Sequence, residues 1–450
     1  MPEQRKTYTK EEIKQIIEEK NVEFIRLQFC DLNGQLKNMA IPASQLDKAM
    51  NNECMLDGSS IKGFRNIETS DMYFFPDLST FAILPWRENK DEESNVARLI
   101  CDIHNPDGTP FEGCPRSNLK KVVQKAKEMG FVMNVGPEAE FFLFKKDADG
   151  RPTVSPHDKA GYYSVAPDDL GEGIRRHIIK TLAKMGFEIE ASHHEVAPGQ
   201  HEIDFKYADA LTTADNILTF KYVVKAVASQ YGLHATFMPK PIFGINGSGM
   251  HCNLSLFKDG QNAFYDKDRA YGLTETALYS IGGILEHVKS FTAITNPLIN
   301  SYKRLVQGYE APVYLAWSIA NRSALIRVPA KRGNATRLEL RSPDPSCNPY
   351  LALAVIFESI MDGVTNKIKP PLQVESNIYK MDDKERKRAK IESLPGSLVE
   401  ALELMKKSSV VKNALGEHIY NEFLNSKRRE WEHYRTYVSP YELNLYLENY

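Results

Sequence analysis

Hydrophobic positions in the first hundred residues change from helical to extended spacing. Thr9 with Glu12 forms a capping-box pattern, and Ile13, Ile16 and Ile17 follow at helical spacing, so a helix is predicted to start at Thr9. A DLNG turn at 31–34 separates the first two of three predicted strands. These predicted strands are VEFIRLQF (22–29), QLKNMAI (35–41) and VARLICDI (96–103).

A polar segment divides the chain after these strands. HNPDGTPFEGCPRS (104–117) is rich in proline, glycine and aspartate, which is typical of a linker. It predicts a first domain over 1–104 and a second over 105–450. In the second domain, apolar residues at helical spacing predict helices over 117–129, 171–185, 211–230, 268–290, 348–367 and 397–406.

Four predicted strands of the second domain carry polar or charged side chains at every second position. Side chains two residues apart on a strand share a face. These faces hold Glu138 and Glu140; Glu202 and Asp204; His251, Asn253 and Ser255; and Arg337, Glu339 and Arg341. For any one strand, the simplest explanation is a face exposed to water. Four such strands, with one histidine among carboxylates and arginines, instead predict a charged cavity.

The residue types of these faces indicate the ligands. Oxygen-rich sets with little nitrogen and no sulfur favour Mg²⁺ or Mn²⁺ over Zn²⁺. Arginine binds phosphate or carboxylate groups through two parallel hydrogen bonds. The spacing therefore predicts a metal-dependent enzyme that acts on phosphates, and it does not name the substrate.

Composition excludes several other classes. The chain has 450 residues, of which 42% are hydrophobic, and a net charge of −2, so no basic footprint for nucleic acid is present. No apolar run reaches the length of a membrane helix, and the polar N-terminus lacks the apolar region of a signal peptide. Six scattered cysteines without a CxxC motif argue against structural zinc and a disulfide framework, and they fit a reducing cytoplasm.

Several long motifs, in order, resemble those of type I glutamine synthetases over nearly the whole chain. The matching segments are DGSSIKGF (57–64), GPEAEFFLF (136–144), SHHEVAPGQHEIDF (192–205), KPIFGINGSGMHCNLSLF (240–257), NSYKRLVQGYEAP (300–312) and the segment 318–354. The stretch NIYKMDD departs from the motif around the adenylylated tyrosine of some relatives, although Tyr379 is present. The chain thus resembles the non-adenylylated, feedback-inhibited bacterial subgroup.

The resemblance implies an α+β fold and an assembly. It implies a β-grasp-like first domain and a catalytic domain with a curved antiparallel sheet flanked by helices. It also implies a dodecamer of two stacked six-membered rings, with active sites between neighbouring subunits. In this subgroup the C-terminal tail can engage transcription regulators, but no such partner is readable in the sequence.

The resemblance also implies two or more Mg²⁺ or Mn²⁺ ions per site, with ATP as co-substrate. One ion would be held by Glu140, Glu195 and Glu202. The other would be held by Glu138, His251 and Glu339. His193 and His194 lie beside a ligand in sequence and are not expected to be ligands.

The remaining implied roles concern the substrates. Glutamate and the transferring phosphoryl group would contact Arg304, Arg322, Arg341, Asn246 and Gly247. The nucleotide would contact Asn253, Ser255, Arg327 and Arg337. A flap residue, Glu310, would close over the intermediate, and an ammonium pocket would comprise Asp57, Ser60 and Tyr162. Taken alone, Asp57 could simply start a DGSS turn.

The implied reaction joins ammonia to the γ-carboxylate of glutamate through γ-glutamyl phosphate, with ATP consumed. Two alternatives keep the same fold. A γ-glutamyl-amine ligase would accept a polyamine, which the intact motif from Asp57 to Ser60 argues against. A non-catalytic regulatory relative would lose metal ligands, whereas all six are present here.

Overall fold

The computed structural model describes residues 5–87, 94–308 and 311–450. The first part of the chain forms a five-stranded sheet in the order β2-β1-β5-β4-β3, with β1 and β5 parallel and the other pairs antiparallel. Its strands are β1 (Val22–Cys30), β2 (Leu36–Pro42), β3 (Met55–Asp57), β4 (Asp71–Ile83) and β5 (Asn95–His104).

Helices α1 (Lys10–Glu19) and α2 (Leu46–Met50) accompany this sheet. The predicted capping box is confirmed, since Thr9 accepts from the Glu12 amide and the Glu12 side chain accepts from the Thr9 amide. Ile13 is buried in a core shared with β1, β4 and β5. The helical spacing in the sequence therefore marks the face that packs on the sheet.

The second part of the chain is larger and contains two further sheets surrounded by helices. Its strands are β6 (Val132–Ala139), β7 (Phe141–Lys146), β8 (Pro152–Pro156), β9 (Ile189–His194), β10 (Gln200–Phe205), β11 (Ala208–Asp209), β12 (Leu233–Thr236), β13 (Met250–Lys258), β14 (Gln261–Asn262), β15 (Trp317–Ile319), β16 (Ile326–Val328) and β17 (Leu338–Leu340). Its helices are α3 (Pro115–Glu128), α4 (Glu172–Lys184), α5 (Ala210–Gln230), α6 (Glu275–Thr295), α7 (Ser301–Arg304), α8 (Pro349–Asn366), α9 (Asp383–Arg388), α10 (Leu398–Met405), α11 (Ser409–Arg435) and α12 (Pro440–Tyr446).

The larger sheet runs β11-β6-β13-β17-β16-β15, and the smaller runs β12-β7-β10-β9. The pair β15–β16 is parallel, so the larger sheet is mixed and not wholly antiparallel as expected. The α+β class itself is confirmed.

The segment 136–144 is not the single strand that its alternation suggested. The chain leaves the larger sheet after Ala139 and enters the smaller one at Phe141, so Glu140 alone forms the crossing. The Glu140 amide donates to the carbonyl of Gly249 at 3.0 Å, outside either strand. The carboxylates of Glu138 and Glu140 nevertheless both reach one cavity, because the two sheets meet there.

Six helices were predicted from spacing, and all six are present. The largest difference is in α6, which begins at Glu275 instead of 268, because Thr274 caps it and residues 270–272 form a short 3₁₀ turn. Helix α11 was not predicted, and Gly416 interrupts it with a φ of 70°. Such a break removes the continuous helical spacing on which the predictions rested.

Helices α6 and α8 pack closely through glycines. A Cβ added at Gly283 would lie 2.2 Å from the Ser359 carbonyl oxygen, and one at Gly363 would lie 2.3 Å from the Tyr279 oxygen. Helix α8 is buried on nearly all sides. It therefore forms the centre of the main core, behind the sheets that carry the polar faces.

A buried ionic network joins the two parts of the chain. Arg116, which is 2% exposed, contacts Asp77 and Asp102 of the first part at 2.7 and 3.1 Å. Its Nε donates to Asp215 on α5 at 2.9 Å, and Asp215 also accepts from the Tyr350 hydroxyl at 2.6 Å. The network fixes the first sheet against the helices of the second part.

Two expectations about the whole chain can be compared with the structure. All six cysteines are buried and free, as their scattered positions predicted. Among the described residues, no helix is both long and apolar enough to cross a membrane.

Candidate active site

A cavity of about 1230 Å³ lies where the two sheets of the second part meet. It collects most of the residues that the sequence singled out. The predicted residues in its lining are Glu138, Glu140, Tyr162, Glu195, Glu202, Asn246, Gly247, His251, Arg304, Arg322 and Arg341. Residues from six separate segments of sequence thus face one space.

Glu138, His251 and Glu339 form a cluster at one end of this group. Strand β13 lies between β6 and β17, which places His251 directly across from Glu138. His251 Nδ1 lies 3.3 Å from a Glu138 oxygen and 3.8 Å from a Glu339 oxygen. Burial raises the pKa of Glu138, but hydrogen bonds from His251 and Asn253 outweigh it and bring the pKa to about 2. Glu138 is therefore a carboxylate near neutral pH.

Two arginines contact Glu339, which is 1% exposed. Arg341 Nη1 donates to Glu339 Oε1 at 2.8 Å, and the Arg327 guanidinium donates to Oε2. Both oxygens of this buried carboxylate are thus paired with guanidinium groups of the protein.

Glu195 and Glu202 form a second cluster, and His193 lies between them. The His193 ring nitrogens are 3.5 Å from a Glu195 oxygen and 3.3 Å from a Glu202 oxygen. Strand pairing explains this, because His193 on β9 is opposite Glu202 on β10. His193 was not expected to be a ligand, although its place beside the carboxylates makes it a potential nitrogen donor.

Burial and mutual repulsion act on these carboxylates. Burial first, then the charges of Glu195 and Glu202, raise the pKa of Glu140 well above its usual value. The pKa of Glu202 is raised in the same way, by burial and then by neighbouring carboxylates including Asp204. The pKa of Asp204 itself rises to about 7, mainly through burial. Repulsion among these carboxylates therefore adds to the cost of burying their charges.

The donor set fits divalent cations. In each cluster, one potential ligand atom per residue lies within 4.8 Å of the others, for Glu138, His251 and Glu339 and for His193, Glu195 and Glu202. Carboxylate oxygens with one imidazole each suit Mg²⁺ or Mn²⁺, and a cation would offset the repulsion that raises the carboxylate pKa values. Glu140 adds a further carboxylate to the same cavity.

Arg304 is tied to the backbone beneath the cavity. Its guanidinium donates to the carbonyl oxygens of Ser342 at 2.8 Å, Pro343 at 3.3 Å and Arg341 at 3.2 Å. It also lines the cavity, as does Arg322. Arg304 therefore positions the segment that carries Arg341 while presenting positive charge to the cavity.

The four residues expected to contact nucleotide lie beside the lining. Arg337 Nε donates to Asn253 at 2.8 Å, and Asn253 donates to Glu138 at 2.8 Å. Ser255 is buried further along β13, and Arg327 pairs with Glu339. These contacts connect Arg337, Asn253 and Arg327 to the first carboxylate cluster.

The expected ammonium residues are not brought together within one chain. Asp57 is exposed, and its Oδ1 accepts from the Ser59 amide and hydroxyl at 2.8 and 2.7 Å, which is the turn structure considered from sequence. These hydrogen bonds lower the pKa of Asp57. Ser60 lines a separate pocket near His418, whereas Tyr162 stacks on Tyr163 at the catalytic cavity. Glu310 lies outside the described residues.

Sequence reasoning missed several polar residues of the lining, among them Gln200 and Tyr379. Gln200 donates to Glu140 at 2.8 Å and to the Gly247 oxygen at 3.1 Å, and so orients a proposed metal ligand. The Tyr379 hydroxyl donates to the Ala311 oxygen at 3.1 Å. Gln200 lies two residues before Glu202 on the same strand, so the rule of alternating faces could have found it.

Comparisons with known proteins agree with this geometry. Residues 21–106 match the family "Glutamine synthetase, beta-Grasp domain", and residues 112–446 match "Glutamine synthetase, catalytic domain". The chain is 59% identical to a glutamine synthetase of Clostridium saccharobutylicum over 443 residues, covering 98% of this chain and 99% of the relative. It is 57% identical to the glutamine synthetase of Staphylococcus aureus strain N315 over 447 residues, covering 99% of this chain and 100% of the relative.

Solved structures of two other proteins are similar to this chain over nearly its whole length. A structure titled "GmaS/ADP complex-Conformation 1" has a TM-score of 0.87 at 32% identity and covers 97% of this chain and 99% of its own. The cryo-electron microscopy structure of Plasmodium falciparum glutamine synthetase has a TM-score of 0.86 at 28% identity and covers 98% and 99%. The chain therefore belongs to the glutamine synthetase family, and it is an ATP-dependent ligase that forms glutamine.

Proposed function

We propose that the cavity between the two sheets is the site of this reaction, with the residue roles assigned below. The observation that supports it best is convergence: members of both acidic clusters and three arginines, Arg304, Arg322 and Arg341, line one space. The family uses ATP and divalent metal ions. Two Mg²⁺ or Mn²⁺ ions would be held by Glu140, Glu195 and Glu202 and by Glu138, His251 and Glu339.

The first step joins two anions, the γ-carboxylate of glutamate and the γ-phosphoryl group of ATP. When bound, the divalent cations supply positive charge beside the phosphate oxygens and so reduce this repulsion. Arg322 and Arg341 add fixed positive charge from the protein at the same place. The carboxylate oxygen forms a bond to phosphorus as the bond to ADP breaks, which leaves γ-glutamyl phosphate.

Binding of the two substrates uses different walls of the cavity. Asn246, Gly247 and Arg304 would hold glutamate. Asn253, Ser255, Arg327 and Arg337 would hold the nucleotide, which fits their position beside Glu138 and Glu339. Binding both reactants in fixed orientation lowers the entropic part of the barrier.

In the second step ammonium gives a proton to Asp57, and the nitrogen of the resulting ammonia bonds to the acyl carbon. The bond from that carbon to the phosphate oxygen breaks, and the departing phosphate takes the second proton from nitrogen, so glutamine remains. Ser60 and Tyr162 would complete the ammonium pocket, and Glu310 would close over the intermediate to keep water out. Because Asp57 and Ser60 lie outside the cavity of their own chain, this role requires a second subunit.

The assembly proposed is a dodecamer of two stacked six-membered rings with active sites between neighbours. The exposed position of Asp57 supports such sharing. The proposed division into domains at residues 104 and 105 is supported by two distinct cores, although the first also includes Phe111 and Cys114 and the second also includes Cys30 and Leu32. A cytoplasmic location is supported by six buried, unpaired cysteines.

One assay tests the proposed site and reaction together. ADP release should require glutamate and should depend on ammonium, and Glu339→Ala should abolish it. A polyamine that replaces ammonium with higher kcat/KM would favour the amine ligase instead. ADP release by Glu339→Ala at the normal rate would remove Glu339 from the site.

A further inference from the structure

A second concave site lies between the first sheet and the helices of the catalytic part. It has a volume of about 340 Å³, and among the described residues it shares none with the catalytic cavity. Its walls come from the turn after β1, from the segment around residue 62, and from α5, α8 and α11. We refer to it as the lysine pocket, after Lys62, Lys221, Lys225 and Lys427 in its lining.

The charge of this pocket is unbalanced. Four lysines line it, whereas its single carboxylate is Glu430, which pairs with Lys427 at 2.8 Å. Three ammonium groups therefore remain without a carboxylate in the lining. The whole chain carries a net charge of −2, so this excess is local and does not reflect a basic protein.

The remaining lysines are held beside an aromatic ring. Lys221 Nζ donates to the Pro345 oxygen at 2.7 Å, and the ammonium groups of Lys221 and Lys225 lie 5.8 and 6.0 Å from the ring centre of Phe237. Within the described part of the chain, Lys62 and Lys225 have no hydrogen bond or ion pair. Burial lowers the pKa of Lys221, as expected for a cation that lacks an anion.

We propose that the lysine pocket binds a small phosphate monoester. Lysine binds phosphate as a point charge, whereas a carboxylate is matched best by the planar fork of arginine, and no arginine lines this pocket. The apolar part of the ligand has a surface to contact in Phe237, Leu351 and Phe423. The volume also falls in the range of small-molecule sites, about 300–1,000 Å³.

The position of the pocket gives its ligand a bridging role. Lys62 belongs to the first part of the chain, and Lys225 to α5 of the second. A phosphate group that contacts both ammonium groups connects the two parts. As far as the structure describes the chain, this site shares no lining residue with the catalytic cavity of its own chain.

The test is isothermal titration calorimetry of the full-length enzyme in Mg²⁺ buffer, with phenyl phosphate as the probe. We expect the double variant Lys62→Gln/Lys225→Gln to raise the Kd at least tenfold. Both lysines are exposed, so folding should be unaffected, and thermal unfolding without ligand verifies this. The matched control is Lys127→Gln/Lys180→Gln, which removes two exposed lysines of α3 and α4 and should leave the Kd unchanged.

Other outcomes would overturn the proposal. An unchanged Kd in Lys62→Gln/Lys225→Gln would show that the probe binds elsewhere, and a loss of binding in Arg322→Gln would place it in the catalytic cavity. Binding of benzoate as tight as that of phenyl phosphate would refute the selectivity for phosphate. Binding of inorganic phosphate as tight as phenyl phosphate would refute a role for the apolar wall.

Discussion

The two carboxylate oxygens of Glu339 pair with different arginines: Oε1 with Arg341 and Oε2 with Arg327. Arg341 therefore has one hydrogen-bond donor engaged, and it also lines the cavity. If its guanidinium contacts the transferring phosphoryl group, Arg341→Lys should lower kcat by about 10²-fold, because lysine cannot reproduce the planar fork. KM for glutamate should change less. Steady-state kinetics of the purified variant measure both.

Thermal unfolding of Arg341→Lys supplies the control for this experiment. Loss of one hydrogen bond to a buried carboxylate should cost about 1.5–3 kcal/mol at most. A variant with normal kcat and a lowered Tm would mean that Arg341 only stabilises Glu339.

Asp215 is the second residue with a specific expectation. It accepts from Arg116 and Tyr350, and although burial opposes its charge, the charges of Arg116 and Arg5 hold its pKa well below the usual range. Asp215→Asn should destabilise the protein by about 3 kcal/mol, since it leaves a buried arginine with one partner fewer. Chemical denaturation of wild type and variant measures this difference.

The pH dependence of that difference follows from the sign of the shift. A carboxyl group whose pKa is lower in the folded state stabilises the protein fully when the pH is above the pKa of the unfolded state, about 3.9. This stabilisation is lost as the pH falls towards the pKa of the folded state. The difference in unfolding free energy between wild type and Asp215→Asn should thus be constant from pH 5 to 8 and should decrease below pH 4. A gap that widens in acid would contradict the assigned pairing.

At this scale the sequence predicted residue types better than contacts. The alternating charges predicted that Glu138 and His251 share a cavity, and pairing of β6 with β13 brings them face to face. The same rule could not reveal that His193 reaches Glu195 and Glu202, since that depends on how β9 pairs with β10. Gln200 was missed because a neutral amide does not stand out in a search for charges.

Among the elements, the crossing at Glu140 was the least predictable. Its alternation with Glu138 is that of one continuous strand, and only the hydrogen bond from Glu140 to Gly249 reveals that the chain changes sheets. Helices were easier, because apolar spacing over four or more turns is specific. The ends of α6 and the existence of α11 depended on caps and on a glycine break, which spacing does not encode.

The segment around Glu310 carries a prediction about an element. Gly308 and Pro312 flank the motif, which suits a hinged loop, and the next described residue, Ala311, lines the cavity. If Glu310 shields the acyl phosphate, Glu310→Ala should raise the ratio of ATP hydrolysed to glutamine formed several-fold. Parallel assays of ADP and glutamine give this ratio. Glu310→Asp serves as the conservative control, and tight coupling in Glu310→Ala would contradict the shielding role.

For the whole molecule, the main question is which chain supplies Asp57. The sequence resemblance implied a shared site, and in the structure Asp57 does not line the cavity of its own chain. Asp57→Ala and Glu339→Ala homo-oligomers should each be nearly inactive. When the two variants are co-assembled, some interfaces pair an intact first part with an intact catalytic part, so activity should return.

Co-assembly must be verified by differential tags before activity is measured. With random mixing, about a quarter of the interfaces should combine both intact halves, so recovered activity should approach that fraction of wild type. Verified mixed rings that stay inactive would mean that each site forms within a single chain. Neither spacing nor composition could decide this, because surfaces between subunits leave no periodic signal in a sequence.

The buried carboxylates around Glu140 and Glu202 also bear on how such a protein evolves. Without cations their mutual repulsion opposes folding, as their raised pKa values indicate. Neutral residues in place of these carboxylates would make the cation-free protein more stable while removing its activity. Laboratory selection for heat resistance alone would therefore favour replacement of these carboxylates. Only continued selection for glutamine formation retains them, which makes their presence a sign of a lineage that still depends on the reaction.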